Sequence, residues 1–456
     1  MANGTTYRRG SVFGALLLIA IGSLFLYPNL NPEFSAWPVV AKYWPVVIIF
    51  WGLGKLVDYL LLRGRPQAAA ATRISGGDIV GLIFLIILGT AFTKGVEHGF
   101  RGGPIVIGDE DIGCLFGNQY EFTEELQQEL PPSTTLTLNN LRGDVTVTAA
   151  AGNQFHLLGT KTVCAASEAE ARKRADRVVP VLEGSGQDYN FHWDTEAGVT
   201  DLVSVNLEVQ VPHSTNLKLS GRRGDYSISG IQGEVSLELE RGDATLNSID
   251  GAVRLQIRRG SVNVADVRGN VEVEGRGDEV VIRNTTGAAT LVGEFYGPIQ
   301  LAHIAGPASF RSRRTNLSAA RIDDQLTVDS GLLTLRGVPG DATLLTRDKE
   351  IEFEEVGGQI RIENRNGRVV IRSSKPPTSP IEVQNERGTI ELVLPDGSGF
   401  QISASARNGE IETNFEGLKV EEEHGGDHSL TGTAGTGRAS IRLSTSHGTI
   451  YIRRRG

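Results

Sequence analysis

An 18-residue repeat constrains this chain more than any other feature. Residues 216–233 read NLKLSGRRGDYSISGIQG, and 234–251 read EVSLELERGDATLNSIDG. AVRLQIRRGSVNVADVRG (252–269) and NVEVEGRGDEVVIRNTTG (270–287) follow, so four consecutive units close on Gly233, Gly251, Gly269 and Gly287. Looser copies run through PASFRSRRTNLSAARIDD (307–324), DATLLTRDKEIEFEEVGG (341–358) and FQISASARNGEIETNFEG (400–417). That predicts about eleven units between 216 and 417.

Within a unit, Val235, Leu237 and Leu239 alternate with polar residues up to a turn at Gly242-Asp243. Ala244 and Leu246 then form a second short strand, and Ile249 precedes the next glycine turn. Alternation at period two with glycine at fixed offsets means two short strands per coil. One coil cannot bury its own apolar face, and stacked coils can. The expected fold is mainly β: a β-solenoid (β-helix) of ~18-residue coils, roughly 50 Å long at the ~4.8 Å strand spacing. A hexapeptide left-handed helix needs an apolar residue every six, which positions 235, 237, 239, 244, 246 and 249 do not supply. Calcium-binding nonapeptide repeats need Gly-Gly-x-Gly-x-Asp, whereas a single glycine precedes aspartate here. Handedness is left open.

Outlying coils flank the array. Leu136, Leu138, Arg142-Gly143-Asp144, Val145 and Val147 repeat its design, and Ile441, Leu443, Gly448, Ile450 and Ile452 close the chain with another coil. Between the first outlier and the array, Ser167 and Glu170 form a capping box that predicts a helix over about 167–179, ended by Pro180. Strands resume at Val205, Leu207 and Val209 and stop at Pro212.

The first hundred residues have a different character. Residues 1–94 carry a net charge of +5, while the remainder carries −14 of the chain's overall −9. SVFGALLLIAIGSLFLY (11–27) is uncharged, a second apolar segment covers about 44–62, and a third covers about 79–93. The third is short for a crossing, but GALLLIAIGSLF (14–25) aligns without gaps on GLIFLIILGTAF (81–92). Gly14/Gly22 and Gly81/Gly89 are each eight apart, so each pair shares a helix face and permits close packing. Lys55 and Asp58, three apart, read as an interfacial pair, and Tyr27, Trp37, Tyr43, Trp44 and Trp51 as an aromatic belt. Arg8/Arg9 and the Arg63–Arg73 loop carry the positive charge, and the loop 28–41 has none. The positive-inside rule therefore puts the N-terminus in the cytoplasm, and three crossings put everything after about 95 outside. The domain reading is a transmembrane region over 1–94, a linker and start of the ectodomain over 95–134, and a β-solenoid over 135–456.

The stretch NLEVQVPHSTNLKLSGRRGDYSISGIQGEVSLELERGDATLNSIDG (206–251) resembles the bacterial putative-adhesin family, a β-helical domain of unknown function. The helix insertion near Ser167 shares in that likeness, which covers about 115–456 and implies no catalytic residues. The N-terminal part resembles the membrane module of envelope-stress regulators, through Trp44-Pro45 and the two Gly14-type helices. It departs from a doubled module because no fourth helix follows Phe92.

The candidate sites have simple structural readings. Arg-Gly-Asp occurs at 142–144, 223–225, 241–243 and 276–278. It would suggest an integrin ligand, but Gly-Asp is what a tight turn prefers, and Arg259-Gly260-Ser261 takes the same offset in the next unit. Stacking should set Arg and Asp columns side by side. Glu421-Glu422-Glu423-His424-Gly425-Gly426-Asp427-His428 has the ligands for a metal, but its glycines break any helix aligning the two imidazoles. Asp323-Asp324 would face opposite sides of a strand, so a turn role is expected. Tyr226, Phe295, Tyr296 and Phe310 are the only aromatics between 216 and 340, few for a carbohydrate-cleaving β-helix. No nucleophile constellation, phosphate loop, cofactor motif or metal site emerges, so no enzyme and no cofactor is expected. Cys114 and Cys164 are two thiols in an oxidising compartment, either bonded or free. Sequons at Asn284 and Asn316 carry little weight in a bacterial chain.

The expected function is non-catalytic, adhesin-like binding by a multi-pass protein of the cell (inner) membrane with its C-terminal domain extracytoplasmic. The alternative is an envelope-stress regulator acting on a sensor kinase. Expected partners are the lipid bilayer, an envelope protein or glycan, a membrane sensor kinase for the alternative, and a second copy of the chain as a homo-oligomer. The acidic balance argues against nucleic acid. No residue is singled out for binding.

Overall fold

The alternating repeat folds as expected into two sheets of short, mostly parallel strands. The structure, a computed structural model, describes residues 106–107, 110–111, 118–195, 203–423 and 427–455. The anticipated membrane helices at 11–27, 44–62 and 79–93, with Lys55 and Asp58, lie outside the described residues. Among those described, no helix is long and apolar enough to cross a membrane.

The chain divides into two compact units. The larger holds the repeat. Strands Asn216–Arg223, Val235–Leu239, Val253–Ile257 and Val271–Gly277 stack in one sheet, with Leu217, Val235, Val253 and Val271 in register. Tyr226–Ser229, Ala244–Ile249, Val262–Val267 and Val280–Thr285 stack in the other. The inward residues Val235, Leu237, Leu239, Ala244, Leu246 and Ile249 are all buried. Ile249 breaks strict alternation with Ala244 and Leu246 for a local reason. Ser248 sits in the left-handed region (φ 57°), which turns the strand so that the next side chain points inward. Asp266 (φ 56°), Asn284 (φ 55°) and His303 (φ 53°) repeat this bulge in successive coils.

Chain order and stacking order differ at three places. The strands of the first outlying coil, Thr135–Arg142 and Val145–Ala150, lie directly against Asn216–Arg223 and Tyr226–Ser229. On their other side they pair with Asp188–Thr195 and Val203–Pro212, so this coil is inserted between later segments. The C-terminal strands Ala439–His447 and Ile450–Arg455 are wedged between Ile381–Arg387/Ile390–Pro395 and Phe400–Ala406/Ile411–Thr413.

The third departure is a reversal of direction. Ala308–Arg311 and Asn316–Ala319 form an antiparallel hairpin, and Asn316–Ala319 is again antiparallel to Ala342–Leu345. In the other sheet, Ile322–Val328 runs antiparallel to both Ile299–Ile304 and Leu332–Val338. The expected run of consecutive coils from 216 to 417 is therefore corrected, because residues 307–324 are a hairpin and a returning strand. Alternation at period two is the same for parallel and antiparallel strands, so the repeat pattern conceals the reversal. The sequence spacing also changes here: Ala289 pairs with Ala308 and Val280 with Ile299, a step of 19.

The smaller unit includes the described ends of strands near Phe122 and Thr162 together with one helix, α1 (Glu168–Ala175). Ser167 caps it as expected, its Oγ accepting from the Glu170 amide at 3.4 Å. Glu170 Oε1 accepts from Arg174 Nη2 at 2.5 Å, one turn on. The helix is shorter than the expected 167–179. Pro180 does not end it but lies in strand Val178–Ser185, which begins after the Asp176 cap. The strand forms because Val178 and Val179 are β-branched and proline is tolerated near a strand start. Cys164 is disulfide-bonded, which resolves the open alternative against free thiols, and Cys114, the chain's other cysteine, lies outside the described residues.

Candidate functional site

The Arg-Gly-Asp turns are spent on holding coils together. The Asp144 amide donates to Asn206 Oδ1 at 3.0 Å, Asp225 to Asp144 Oδ1 at 2.9 Å, Asp243 to Asp225 Oδ1 at 2.8 Å, and Ser261 to Asp243 Oδ1 at 2.8 Å. Each carboxylate thus caps a backbone N–H in the next coil, a charge-assisted bond. The glycine beside it is required by close approach. Gly242 has φ +132°, and a Cβ there would fall on the carbonyl oxygen of Gly224. Gly277 of the fourth copy lacks this left-handed backbone, and the Asp278 amide donates to Gly260 O at 2.9 Å. With three of its four aspartates engaged in the ladder and the fourth held through its backbone amide, the tripeptide is turn chemistry, as expected.

Other expected sites are also structural. Glu421, Glu422 and Glu423 lie on strand Lys419–Glu423, whose partner Asp427–Ala434 places His428 opposite Glu422 in a hairpin. His428 Nδ1 is 2.7 Å from Gly409 O. His424 lies outside the described residues, and among those described no cluster of acidic, His or Cys side chains could hold a metal ion. Asp323-Asp324 is not a turn. Both residues lie within Ile322–Val328 and both are exposed, because register slips opposite Ala302 and Ile304. Tyr226 and Phe310 are core residues, and Asn284 Nδ2 donates to Asp266 Oδ1 at 2.8 Å.

Stacking does align opposite charges, chiefly Arg with Glu. Arg254 meets Glu272 at 3.0 Å, while Glu354 lies between Arg336 (3.0 Å) and Arg372 (3.5 Å). Glu382 lies between Arg361 (3.5 Å) and Arg442 (3.7 Å). Lys161, only 1% exposed, pairs with Glu124 at 2.9 Å and lies 5.8 Å from the Trp193 ring. Nothing in the sequence pattern marked this buried lysine and its exposed partner.

The exception is the strand reversal. A groove of about 580 Å³ opens beside the Ser312–Thr315 turn and is lined by Arg313, Arg314, Arg347, Asn364, Gln384 and Ser444, among others. It follows one outward column of the sheet, Asn316–Leu345–Glu363–Gln384–Ser444, each in register with the next. Arg313, Arg314 and Arg347 are exposed and, among the described residues, their guanidinium groups meet no carboxylate, although the Arg313 amide donates to Glu294 Oε1 at 2.7 Å. Beneath the column run Thr346, Asn364, Asn385 and Thr445, all buried. Thr315 Oγ1 lies 3.0 Å from Thr346 Oγ1. Asn364 Nδ2 donates to Lys349 O (3.0 Å) and Asn366 O (2.8 Å), and Asn385 Nδ2 to Gly367 O (2.8 Å). The Oδ1 atoms of both asparagines are buried without a donor.

A second cavity of about 160 Å³ shares Ser312, Arg314, Thr315 and Thr346 with this groove and adds Tyr296 and Lys349. Tyr296 is 79% exposed. Lys349 Nζ donates to the carbonyls of Asp329 and of Ser330 (2.8 Å), and burial pushes its ammonium below the usual lysine range. Sequence reading missed this site. The available signals were the clustered arginines 311, 313 and 314, the 19-residue step, and asparagine and threonine at inward positions.

A stack of short coils, tied by backbone and carboxylate ladders and with a polar groove at its strand reversal, defines a β-repeat module. The chain belongs to the Toastrack DUF4097 family, whose model matches residues 132–453. Residues 12–56 match the LiaI-LiaF-like transmembrane region, which associates the chain with a membrane. Neither is an enzyme family. Two solved structures are similar: a putative cell adhesion protein from Clostridium sporogenes (11% identity, 73% of this chain, 100% of that one, TM-score 0.18) and a putative adhesin from Bacteroides fragilis (10%, 73%, 97%, 0.22). Scores this low establish no common geometry. No curated protein matches the sequence.

Proposed function

We propose that this chain is a non-catalytic, adhesin-like recognition protein of the bacterial cell envelope. A multi-pass helical anchor holds the Toastrack unit outside the cytoplasmic membrane. The reading rests above all on the reversal groove. There Arg365 still pairs with Glu386 at 3.1 Å, while the guanidinium groups of Arg313, Arg314 and Arg347 cluster without a carboxylate and are open to a partner from outside. The family match, the +5 and −14 charge division and the basic loops at Arg8/Arg9 and 63–73 support the anchored topology.

A reporter active only outside the cytoplasm, fused after Gly456 and separately after Gln67, tests the topology. Activity at 456 alone is expected, and silence at both sinks the extracytoplasmic reading. Deleting residues 132–453 tests the role, with loss of surface attachment or partner capture as the expected result.

A second reading is favoured by the match of residues 12–56 to the LiaI-LiaF-like region. In it, the helices engage a membrane sensor kinase and the Toastrack unit reads the envelope state. The same deletion would then alter an envelope-stress transcriptional response and leave attachment unchanged.

A further inference from the structure

We infer that the groove at the strand reversal holds a linear acidic polysaccharide, with its anionic groups on Arg313, Arg314 and Arg347 and its hydroxyls along the polar rail. This deepens the recognition reading and rests on it. The groove is long in one direction. The column from Asn316 to Ser444 spans four strand steps, about 19 Å at the usual spacing, and its members are side chains of successive coils. That shape suits an extended polymer and not a compact ligand.

Chemistry along the groove changes from one end to the other. Arg313 and Arg314 on the hairpin turn and Arg347 beside it present guanidinium forks, which match carboxylate or phosphate oxygens in pairs. Past Glu363, paired with Arg361, and the Arg365–Glu386 pair, Gln384, Ser444 and Ser446 offer donors and acceptors without charge. A hydroxyl-rich chain bearing spaced anions satisfies both ends.

The floor of the groove is polar and braced by hydrogen bonds. In the regular coils the third inward position of the first strand is Gly221, Leu239, Ile257 or Gly275, in mutual register. Under the groove, the corresponding positions are Asn364, Asn385 and Thr445, and the first outlying coil has Asn140 there, donating to the carbonyls of Gly143 and Val205. Burying polar groups there is unfavourable unless each finds a partner. The amide nitrogens have one, donating to the carbonyls of Lys349, Asn366 and Gly367, and so fix the floor on which the outward column stands. Tyr296, the most exposed large apolar side chain among the described residues, stands at the adjoining cavity as a face for a sugar ring. Leu345 adds a second partly exposed apolar surface within the column.

The test uses the full chain in lipid nanodiscs. The probes are polygalacturonate as a carboxylate polysaccharide, phosphomannan as a phosphate polysaccharide, dextran as a neutral polysaccharide and single-stranded DNA as a polyanion without the glycan. Binding of one or both acidic glycans and none of dextran is expected, and the two acidic arms separate carboxylate from phosphate recognition. The triple variant R313Q/R314Q/R347Q should bind at least tenfold more weakly and with a flatter salt dependence. Tyr296→Ser should lose a few-fold. Arg254→Gln, on a paired arginine away from the groove, should change nothing, and unchanged melting of the triple variant excludes unfolding. Equal binding by the triple variant, equal binding of dextran, or tighter binding of DNA than of either glycan overturns the inference. If no acidic glycan binds while the reporter after Gly456 is active, this inference alone fails. A silent reporter removes the broader reading whatever the groove holds.

Discussion

The coils from 216 to 304 and the strands beyond 308 are built from the same alternation and behave differently. In the first region the turns of successive coils superpose at a nearly fixed offset, so aspartate ladders and glycine columns tie the coil edges together. In the second, a hairpin reverses the chain, turns no longer superpose, and a groove with unpaired arginines opens. Regular repetition superposes turns, and interruption sets a hairpin and its arginines beside the stack. Scaffold and candidate site thus share one fold but occupy different parts of it.

The sharpest way to break the regular half is Gly242→Val. Its Cβ would collide with a backbone carbonyl at a left-handed position, and a loss of roughly 4 kcal/mol or more is expected by thermal or denaturant unfolding. Gly331→Ala, in a turn of the irregular half with nothing near its Cβ position, should stay within about 0.5 kcal/mol. Comparable losses for the two would erase the contrast.

Packing inside the regular coils gives the next largest effect. Gly221 leaves room for the buried Tyr226 ring, whose hydroxyl donates to Ser220 O at 3.1 Å, whereas the next coil uses Leu239 with Ala244. Tyr226→Ala should cost about 3–5 kcal/mol as a cavity. Gly221→Leu should cost about 1–3 kcal/mol by overpacking. The double variant reproduces the neighbouring coil, and we expect it to recover at least half of the summed loss. Simple additivity would show that the two positions do not share a hole.

Alkaline pH probes the same ring. Burial pushes the Tyr226 hydroxyl above the ordinary tyrosine value, so the folded chain keeps a proton that the unfolded chain releases near pH 10. Above about pH 10 the unfolded state binds fewer protons, and stability should fall as pH rises. Tyr226→Phe should flatten that fall, and an unchanged slope would assign it to other groups.

The smallest effect concerns the bulge column. His303→Gly relieves a left-handed non-glycine residue, with a gain of about 0.5 kcal/mol after glycine's own entropy cost. A loss would mean that the His303 side chain contributes more than its backbone strain removes.

Much of this architecture was legible in the residues themselves. The period, the two strands per coil, the buried set from Val235 to Ile249 and the turn role of Arg-Gly-Asp all follow from local rules, since glycine permits positive φ and alternation follows the pleat. The Ser167 cap was equally local, but the helix end was not. Val178 and Val179 were absorbed into a strand by pairing that α1's own sequence does not express.

The candidate site lay beyond such rules because it depends on neighbours distant in the chain. Asn316, Leu345, Glu363, Gln384 and Ser444 share a column only after the reversal at 312–315 and the insertion of the C-terminal strands. A residue's alternation states which face it occupies, never which strand lies beside it or in which direction that strand runs. The sequence by itself therefore determined the coil, its core and its turns, through steric and hydrogen-bonding preferences that act within about 18 residues. Only the tertiary structure decided the order of the coils, the reversed strands and the groove, because strand pairing is set by the burial and closure of the whole stack.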